Sequence, residues 1–473
     1  MALMLHCGTG LSEIGATAGA RTRDAGQADK GRAGARHEKL ERRGMFSTLS
    51  AIWALLVGMV LIMMGNGMHF TLIGVRGGIE GFSSAELAVV TSGYFLGFLS
   101  GARLAPVMIR RVGHVRVFAA LGSFMSAGLI AFPLVTEPWA WTLLRILLGF
   151  CMSGVYVTAE SWLNNAATNE SRGSVLSAYM LAQTLGIIAA QGVLTFGDAA
   201  GPALFIGASI LVSVSFAPIL LSATPVPAAE LAKPMSLVRL FRESPLGAVG
   251  IVLLGGVFAA QSGMGAVFGA QIGLDTSQVA LFVAMLFAGS LVLQYPIGFL
   301  SDRMDRRKLI LGAAVCGVGA CVLGFMSQSL WVLMAAAFIS GGVATPLYSL
   351  FIAHTNDFLQ VEDMPAASGG LVFGYGLGAI FGPLVTGWTM QYAGPEGFWL
   401  VMLVLFGLIA GYAAWRMTRR ASVPVDETDA YLNVLPTTSQ VAVEAAGAWA
   451  IDYAEGQAAE AEEEEARARG DAA

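Results

Sequence analysis

A chain of 473 residues that is 56% hydrophobic and only 12% charged, with a mean hydropathy of +0.68, is too apolar for a soluble globular protein and belongs in a bilayer. The formal net charge of -5 averages two unlike parts: most of the acidity lies after Asp426 and includes Glu462-Glu463-Glu464-Glu465, whereas the membrane part is basic. The cysteines, Cys7 near the start and Cys151, Cys316 and Cys321 inside apolar runs, form no loop framework, so no disulfide is expected.

Residues 1–45 form a leader rich in Gly, Ala, Arg and Glu without the apolar core of a signal peptide, and are expected to be disordered. Met45 opens directly onto the first apolar run and is the preferred translation start, a basic N-terminal tail being the alternative reading. Twelve spans are predicted, at roughly 49–73, 87–108, 116–135, 138–163, 174–196, 201–222, 247–270, 277–300, 309–327, 329–353, 366–392 and 396–416. Strand-like alternation over ten-residue segments is lacking, which argues against a membrane barrel.

An even number of spans puts both termini on one face. Arg42, Arg43, Arg110, Arg111, Arg116, Arg172, Lys233, Arg239, Arg242, Arg303, Arg306, Arg307, Lys308, Arg416, Arg419 and Arg420 all fall on that face, and only Arg76 falls on the other, so both termini are expected in the cytoplasm. The expected organisation is a six-helix bundle at 46–222, a cytoplasmic linker at 223–245, a second six-helix bundle at 246–417 and an acidic disordered tail at 418–473. The linker holds Pro225, Pro227, Pro234 and Pro245 and a basic amphipathic piece around Leu237–Arg242 that suits a membrane surface.

Between spans eight and nine stands Gly298-Phe299-Leu300-Ser301-Asp302-Arg303-Met304-Asp305-Arg306-Arg307-Lys308. Its basic part is echoed about 190 residues earlier by Ile109-Arg110-Arg111-Val112-Gly113-His114-Val115-Arg116, as expected of a duplicated half. A second echo links Gly154-Val155 through Ser161 in span four with Gly342-Val343 through Ser349 in span ten.

Twelve spans, a central linker and charged turns after spans two and eight resemble the major facilitator superfamily, over about residues 46–420. Gly298, Asp302, Arg303, Arg306 and Arg307 match its turn pattern, with Asp305 in place of the second glycine. In the first half Arg111, Gly113 and Arg116 match, while Pro106 and Arg110 replace the first glycine and the acid. Arg145-Ile146-Leu147-Leu148-Gly149 is similar to the family's buried-arginine pattern in span four, and the Gly-Pro antiporter pattern is missing from span five. The turns most resemble those of YcaD-like bacterial inner-membrane members. The resemblance implies an all-α integral membrane protein whose twelve helices form two pseudo-symmetric six-helix bundles.

Ionisable groups inside a bilayer cost several kcal/mol unless paired or hydrated, so each is a candidate. Arg145 is read either as a charge orienting an anionic or polar substrate or as a structural tie to carbonyls and glutamines. Glu160, ~22 Å further along the same helix, is the first candidate for proton coupling, against a static pair with an arginine of the second-span turn. His69 is the second. The resemblance implies that spans one, four, seven and ten line the cavity, which favours Asn66, Tyr156, Gln261 and Tyr348 as substrate contacts over Gln183, Gln294 and Tyr375.

The resemblance also sets span eight beside span five and span two beside span eleven, which suggests two latches closing the cytoplasmic side when the protein faces outward. One has Asp302 facing the helix that starts near Gly173. The other has Arg110 and Arg111 meeting Asp357, Glu362 and Asp363, and Gly298, Arg303, Arg306, Arg307, Gly113 and Arg116 complete the gate.

Without a Walker loop, a metal-ligand cluster or a catalytic set, no cofactor, metal or nucleic acid is expected and an enzyme is not the reading. The expectation is a monomeric secondary transporter in a bacterial-type inner membrane. It would move a small organic solute by alternating access, in proton-coupled or gradient-driven efflux. A non-transporting receptor or scaffold of the same fold is the alternative.

Overall fold

The computed structural model describes residues 52–168, 171–222, 232–419, 431, 433–450, 456 and 466, all in the unit Ile52–Ala473. The leader and the alternative start at Met45 lie outside the described residues. Among these residues twelve helices are long and apolar enough to cross a membrane, and the protein is a multi-pass membrane protein. Spans one to six are Ile52–Ile79, Ser84–Val112, His114–Leu134, Pro138–Ala166, Arg172–Leu194 and Ala203–Ser222. Spans seven to twelve are Pro245–Gln271, Thr276–Ser301, Arg306–Met326, Leu330–Asn356, Met364–Ala393 and Gly397–Met417. A short helix, Leu237–Glu243, stands in the linker where the amphipathic piece was expected.

The two halves begin and pack their helices by the same local devices. Span two starts with a capping box in which the Glu86 N–H donates to the Ser83 hydroxyl (3.3 Å) and the Ser83 N–H to the Glu86 carboxylate (2.8 Å). Span eight starts with the same box built from Asp275 and Gln278 (2.9 and 3.1 Å). Apolar helices in lipid gain little from mere contact, so close association depends on small residues that let backbones approach. Gly97 and Gly149 give spans two and four that approach, and Gly289 and Gly341 do so for spans eight and ten. A methyl group at any of the four would sit on the carbonyl oxygen of the facing helix.

At the end of the bundle opposite the basic turns, the halves touch directly. Gly74 of span one packs against Ala266 and Val267 of span seven, Gly387 of span eleven packs against Ala88 of span two, and the Gln271 amide donates to the Ser84 hydroxyl (2.6 Å). Spans two and eleven stay together further along, where Ser92 donates to the Ile380 carbonyl (2.8 Å) and the Arg103 guanidinium covers the Phe373 ring (4.3 Å). Span seven is interrupted by a π-turn, Ala260–Met264, that no sequence pattern announced.

The tail departs from expectation. Although it was read as disordered from residue 418, residues 433–450 pack into the basic end of the bundle, with a helix over 440–450. Val434, Ser439, Ala442, Val443 and Ala446 are all buried. Their small side chains give a weak hydropathy signal, yet they suit a narrow cleft between helices.

Because Gly149 lies against the Tyr94 carbonyl, Gly149→Leu should force spans two and four apart at a cost of about 3 kcal/mol. The expected result in size-exclusion chromatography of detergent extracts is loss of the monodisperse peak, whereas Gly312→Leu, at a glycine with open space around it, should keep it.

Candidate functional site

Arg145 and His69, assigned separate roles from sequence, form one cluster. Both are buried, and an Arg145 guanidinium nitrogen lies 3.2 Å from His69 Nδ1. A guanidinium can only donate, so Nδ1 is the acceptor and the ring hydrogen sits on Nε2. The charge lies over the faces of Phe70 (4.1 Å) and Tyr94 (4.6 Å), and Tyr94 in turn receives a long hydrogen bond from Asn66 (3.5 Å). The carbonyls and glutamines expected around Arg145 are thus replaced by aromatic faces. The His69 ring is boxed edge-on by Phe132 (4.4 Å) and Phe205 (6.0 Å).

Glu160 is also buried, and none of the second-turn arginines reaches it: Arg110, Arg111 and Arg116 are exposed. Its carboxylate instead accepts from the Tyr179 hydroxyl (3.1 Å), from the Ser439 N–H (3.0 Å) and from the Ser439 hydroxyl. Ser439 is the residue before the helix at 440–450, and its hydroxyl also accepts from the Val441 N–H (3.2 Å). The acid therefore lies at the positive end of the tail helix.

Buried aromatic side chains form a cluster in each half. On one side Tyr94 stacks on Phe98 (6.3 Å), Phe98 meets Tyr156 edge-on (5.9 Å), and the Tyr156 hydroxyl donates to the Met63 sulfur (3.2 Å). On the other, Tyr348 meets Tyr375 edge-on (5.2 Å) and Tyr375 leans on Phe258 (6.0 Å). Among the described residues, the hydroxyls of Tyr348 and Tyr375 and the Nε2 of Gln261 are buried without a hydrogen-bond partner. Gln261 stands in the π-turn and lines a small pocket with Phe258, Ser262, Leu286, Phe287, Gly341 and Thr345.

At the basic end the gate residues do not form, in this structure, the two latches expected of an outward-facing state. Spans two and eleven, and five and eight, are neighbours. Yet Arg110 and Arg111 have no ion-pair partner among the described residues, since their intended acids are engaged elsewhere. Asp363 pairs with Arg239 of the linker helix (2.6 Å) and Asp357 forms a buried pair with Arg306, while Glu362 is exposed. Linker and span nine lie nearer to these acids in the chain's path than span two does. Asp302 accepts from the Tyr431 N–H (2.9 Å) instead of the helix start near Gly173, which is covered by the Trp449 ring. Arg303 covers the ring of Phe299 (3.6 Å).

The two turns differ in backbone conformation. Gly113 takes a left-handed φ of 87°, open to glycine, whereas Asp305 has a φ of -53° and caps span nine by accepting from the Arg307 N–H (2.9 Å). Partial burial pushes the Asp305 carboxyl up, but the Arg307 hydrogen bonds and the Arg307 and Lys308 charges outweigh it and hold the pKa below its ordinary value. The turn therefore stays charged throughout the neutral range.

Tyr94, Phe70, Tyr179 and Ser439 were not foreseen; aromatic residues in apolar runs and a serine in a polar tail carry no signal until the fold brings them to a charge. Tyr94→Ala should lower the melting temperature by several degrees, through loss of a cation–π face worth about 1 kcal/mol and an unfilled cavity of about 3 kcal/mol. Tyr94→Phe, which retains the face, should melt near the parent in the same thermal unfolding assay.

The Major Facilitator Superfamily model matches residues 246–449, and the Sugar (and other) transporter model matches residues 30–225. The chain is 25% identical over 377 residues to the uncharacterized MFS-type transporter YcaD of Escherichia fergusonii, covering 79% of this chain and 97% of YcaD. It is 26% identical over 349 residues to the uncharacterized MFS-type transporter YfkF of Bacillus subtilis, covering 72% and 89%. The fold is similar to that of a mutant of the nucleoside transporter NupG, with a TM-score of 0.67 at 16% identity, over 77% of this chain and 99% of NupG. It is also similar to an inward-facing bacterial homolog of the human lysosomal transporter Spinster, with a TM-score of 0.62 at 16% identity, over 77% and 96%. With both halves matched, twelve spans and the duplicated turns, this chain belongs to the major facilitator superfamily and is a transporter, not an enzyme.

Proposed function

We propose that this transporter exports a small, amphipathic organic solute across a bacterial-type inner membrane by alternating access, as a monomer with both termini in the cytoplasm and with proton coupling. The observation that carries the solute class is the group of unpartnered polar atoms between aromatic walls: the hydroxyls of Tyr348 and Tyr375 and the amide of Gln261. Buried polar atoms without partners cost free energy in any protein and more in a bilayer, so a ligand or water completes them. The surrounding rings of Tyr156, Phe98 and Phe258 favour a flat or apolar body. Nucleosides, with hydrogen-bonding edges on a flat ring, fit this description and belong among the first candidates.

Arg145 acts in this reading as a positioning residue: it fixes Phe70, Tyr94 and, through Tyr94, Asn66 along one wall. Glu160 is the coupling acid, and His69, enclosed by Arg145 and two phenylalanines, has a structural part. The basic residues support the orientation, since the turns of Arg110, Arg303 and Lys308 would face the cytoplasm. The closed contacts at the other end support a state open towards that side.

A thermal-shift screen of purified protein against metabolites and nucleosides at pH 5.5 and pH 7.5 should give at least one stabilising solute. Tyr348→Phe should weaken binding of that solute by roughly three- to ten-fold, the worth of one hydrogen bond. A hit whose affinity is untouched by both Tyr348→Phe and Gln261→Leu would place the site elsewhere. In proteoliposomes Glu160→Gln should abolish acceleration of flux by an imposed pH gradient, and a normal response would remove Glu160 from the coupling.

A further inference from the structure

The tail makes contacts of a kind seldom wasted on a loose end. It bonds to the second half first: the Tyr431 N–H donates to Asp302 (2.9 Å), and Ser349 of span ten both receives from the Val434 N–H (2.9 Å) and donates to the Val434 carbonyl (3.1 Å). It then crosses to the first half, where Ser439 meets Glu160 of span four and Trp449 covers Gly173 at the start of span five. Between these anchors the Gln440 amide donates to the Ala232 carbonyl of the linker (3.0 Å).

The receiving surface is shaped for this segment. Gly298 leaves a flat recess for the Tyr431 ring, Gly173 for the Trp449 ring and Gly369 for the Gln440 side chain; a methyl group at any of them would overlap the tail. Glu160 supplies a buried carboxylate to the helix that starts at residue 440, whose first N–H groups lack intrahelical partners. Glu160 and Ser349 occupy or adjoin corresponding positions of the sequence echo between spans four and ten. The tail therefore ties together the two elements that must move relative to one another when a major facilitator rocks.

We propose that the cleft between the halves at the basic end is a polypeptide-binding site, occupied in cis by residues 433–450, and that transport requires this segment to withdraw. Docking stands on the contacts alone; the requirement for withdrawal rests on the alternating-access reading above. While docked, the segment fills the space into which spans four and five and spans ten and eleven would close, and it covers Glu160. Self-inhibition of this kind couples transport to whatever competes for the tail.

The test uses the full chain with its native cysteines replaced by serine and one reporter, Ala446→Cys, on the buried face of the tail helix, where Ala446 is 3% exposed. A water-soluble maleimide should modify this thiol at least a hundred-fold more slowly in native protein than after denaturation in SDS. Adding Ser439→Glu, which sets a second carboxylate against Glu160, should accelerate modification at least ten-fold, and Gly173→Leu, which fills the Trp449 recess, should do the same. Rapid modification of the reporter in the otherwise unaltered native protein overturns docking. Two slow, unchanged rates in the variants, each still monodisperse, overturn the assigned anchors.

Withdrawal is tested separately. A short bis-maleimide joining Gly173→Cys to Trp449→Cys should leave the thermal shift by the bound solute in place yet stop its flux in proteoliposomes. Undiminished flux in the joined protein overturns the inhibitory part while leaving docking intact. Flux absent from the unaltered protein but present in Gly173→Leu supports self-inhibition, whereas flux absent from both counts against the transport reading, with the labelling result standing apart from it.

Discussion

A carboxylate within a helical membrane bundle has to find donors inside the protein, and the way Glu160 does so organises the basic half of this molecule. Among the described residues no arginine forms an ion pair with it, although Arg172 lines the same small pocket. Its donors are the Tyr179 hydroxyl and the start of a helix that belongs to neither bundle. That choice draws the tail into the cleft, where its remaining backbone groups find Ser349 and Asp302. The far end of the protein needs no such arrangement, since Gly74 and Ala266 close it by backbone proximity. The basic end is thus held largely through the tail, the other by direct contact of the two halves with one hydrogen bond between Gln271 and Ser84.

The positions of the spans were legible because a bilayer demands long apolar runs, and the basic turns separated them. The duplication was legible in the Gly113 and Asp305 turns, and the structure adds a second marker in the paired capping boxes of Ser83 and Asp275. The tail was not legible. Between Tyr431 and Ala450 it carries one charge, Glu444, within Ala, Val, Thr and Ser, a composition compatible with both a solvated helix and a buried one. Only the recesses of Gly173, Gly298 and Gly369, distant in sequence, distinguish these cases.

Site residues were legible as types and not as partnerships. Arg145 and His69 are recognisable separately as buried polar groups, but their separation of 76 residues hides that one donates to the other. Arg110 and Arg111 were set against Asp357, Glu362 and Asp363 from span adjacency and charge, whereas in this structure Arg306 and Arg239 hold Asp357 and Asp363. The two halves have kept their packing glycines while diverging in polar chemistry. A glycine that admits a backbone tolerates no substitute, whereas a polar contact can change partner with a small shift of a side chain.

The π-turn of span seven has a consequence that is angular. One extra residue in the helical repeat turns everything beyond Met264 by about 100° relative to an uninterrupted helix. Ala266 meets Gly74 in this rotated phase. Were the turn to relax into regular helix, the same residues would swing through more than a quarter of the circumference and leave span one facing different side chains. The seal at that end is therefore set by the phase of one helix, and Gln261, which lines the small pocket beside Phe258 and Leu286, stands at the point where that phase changes.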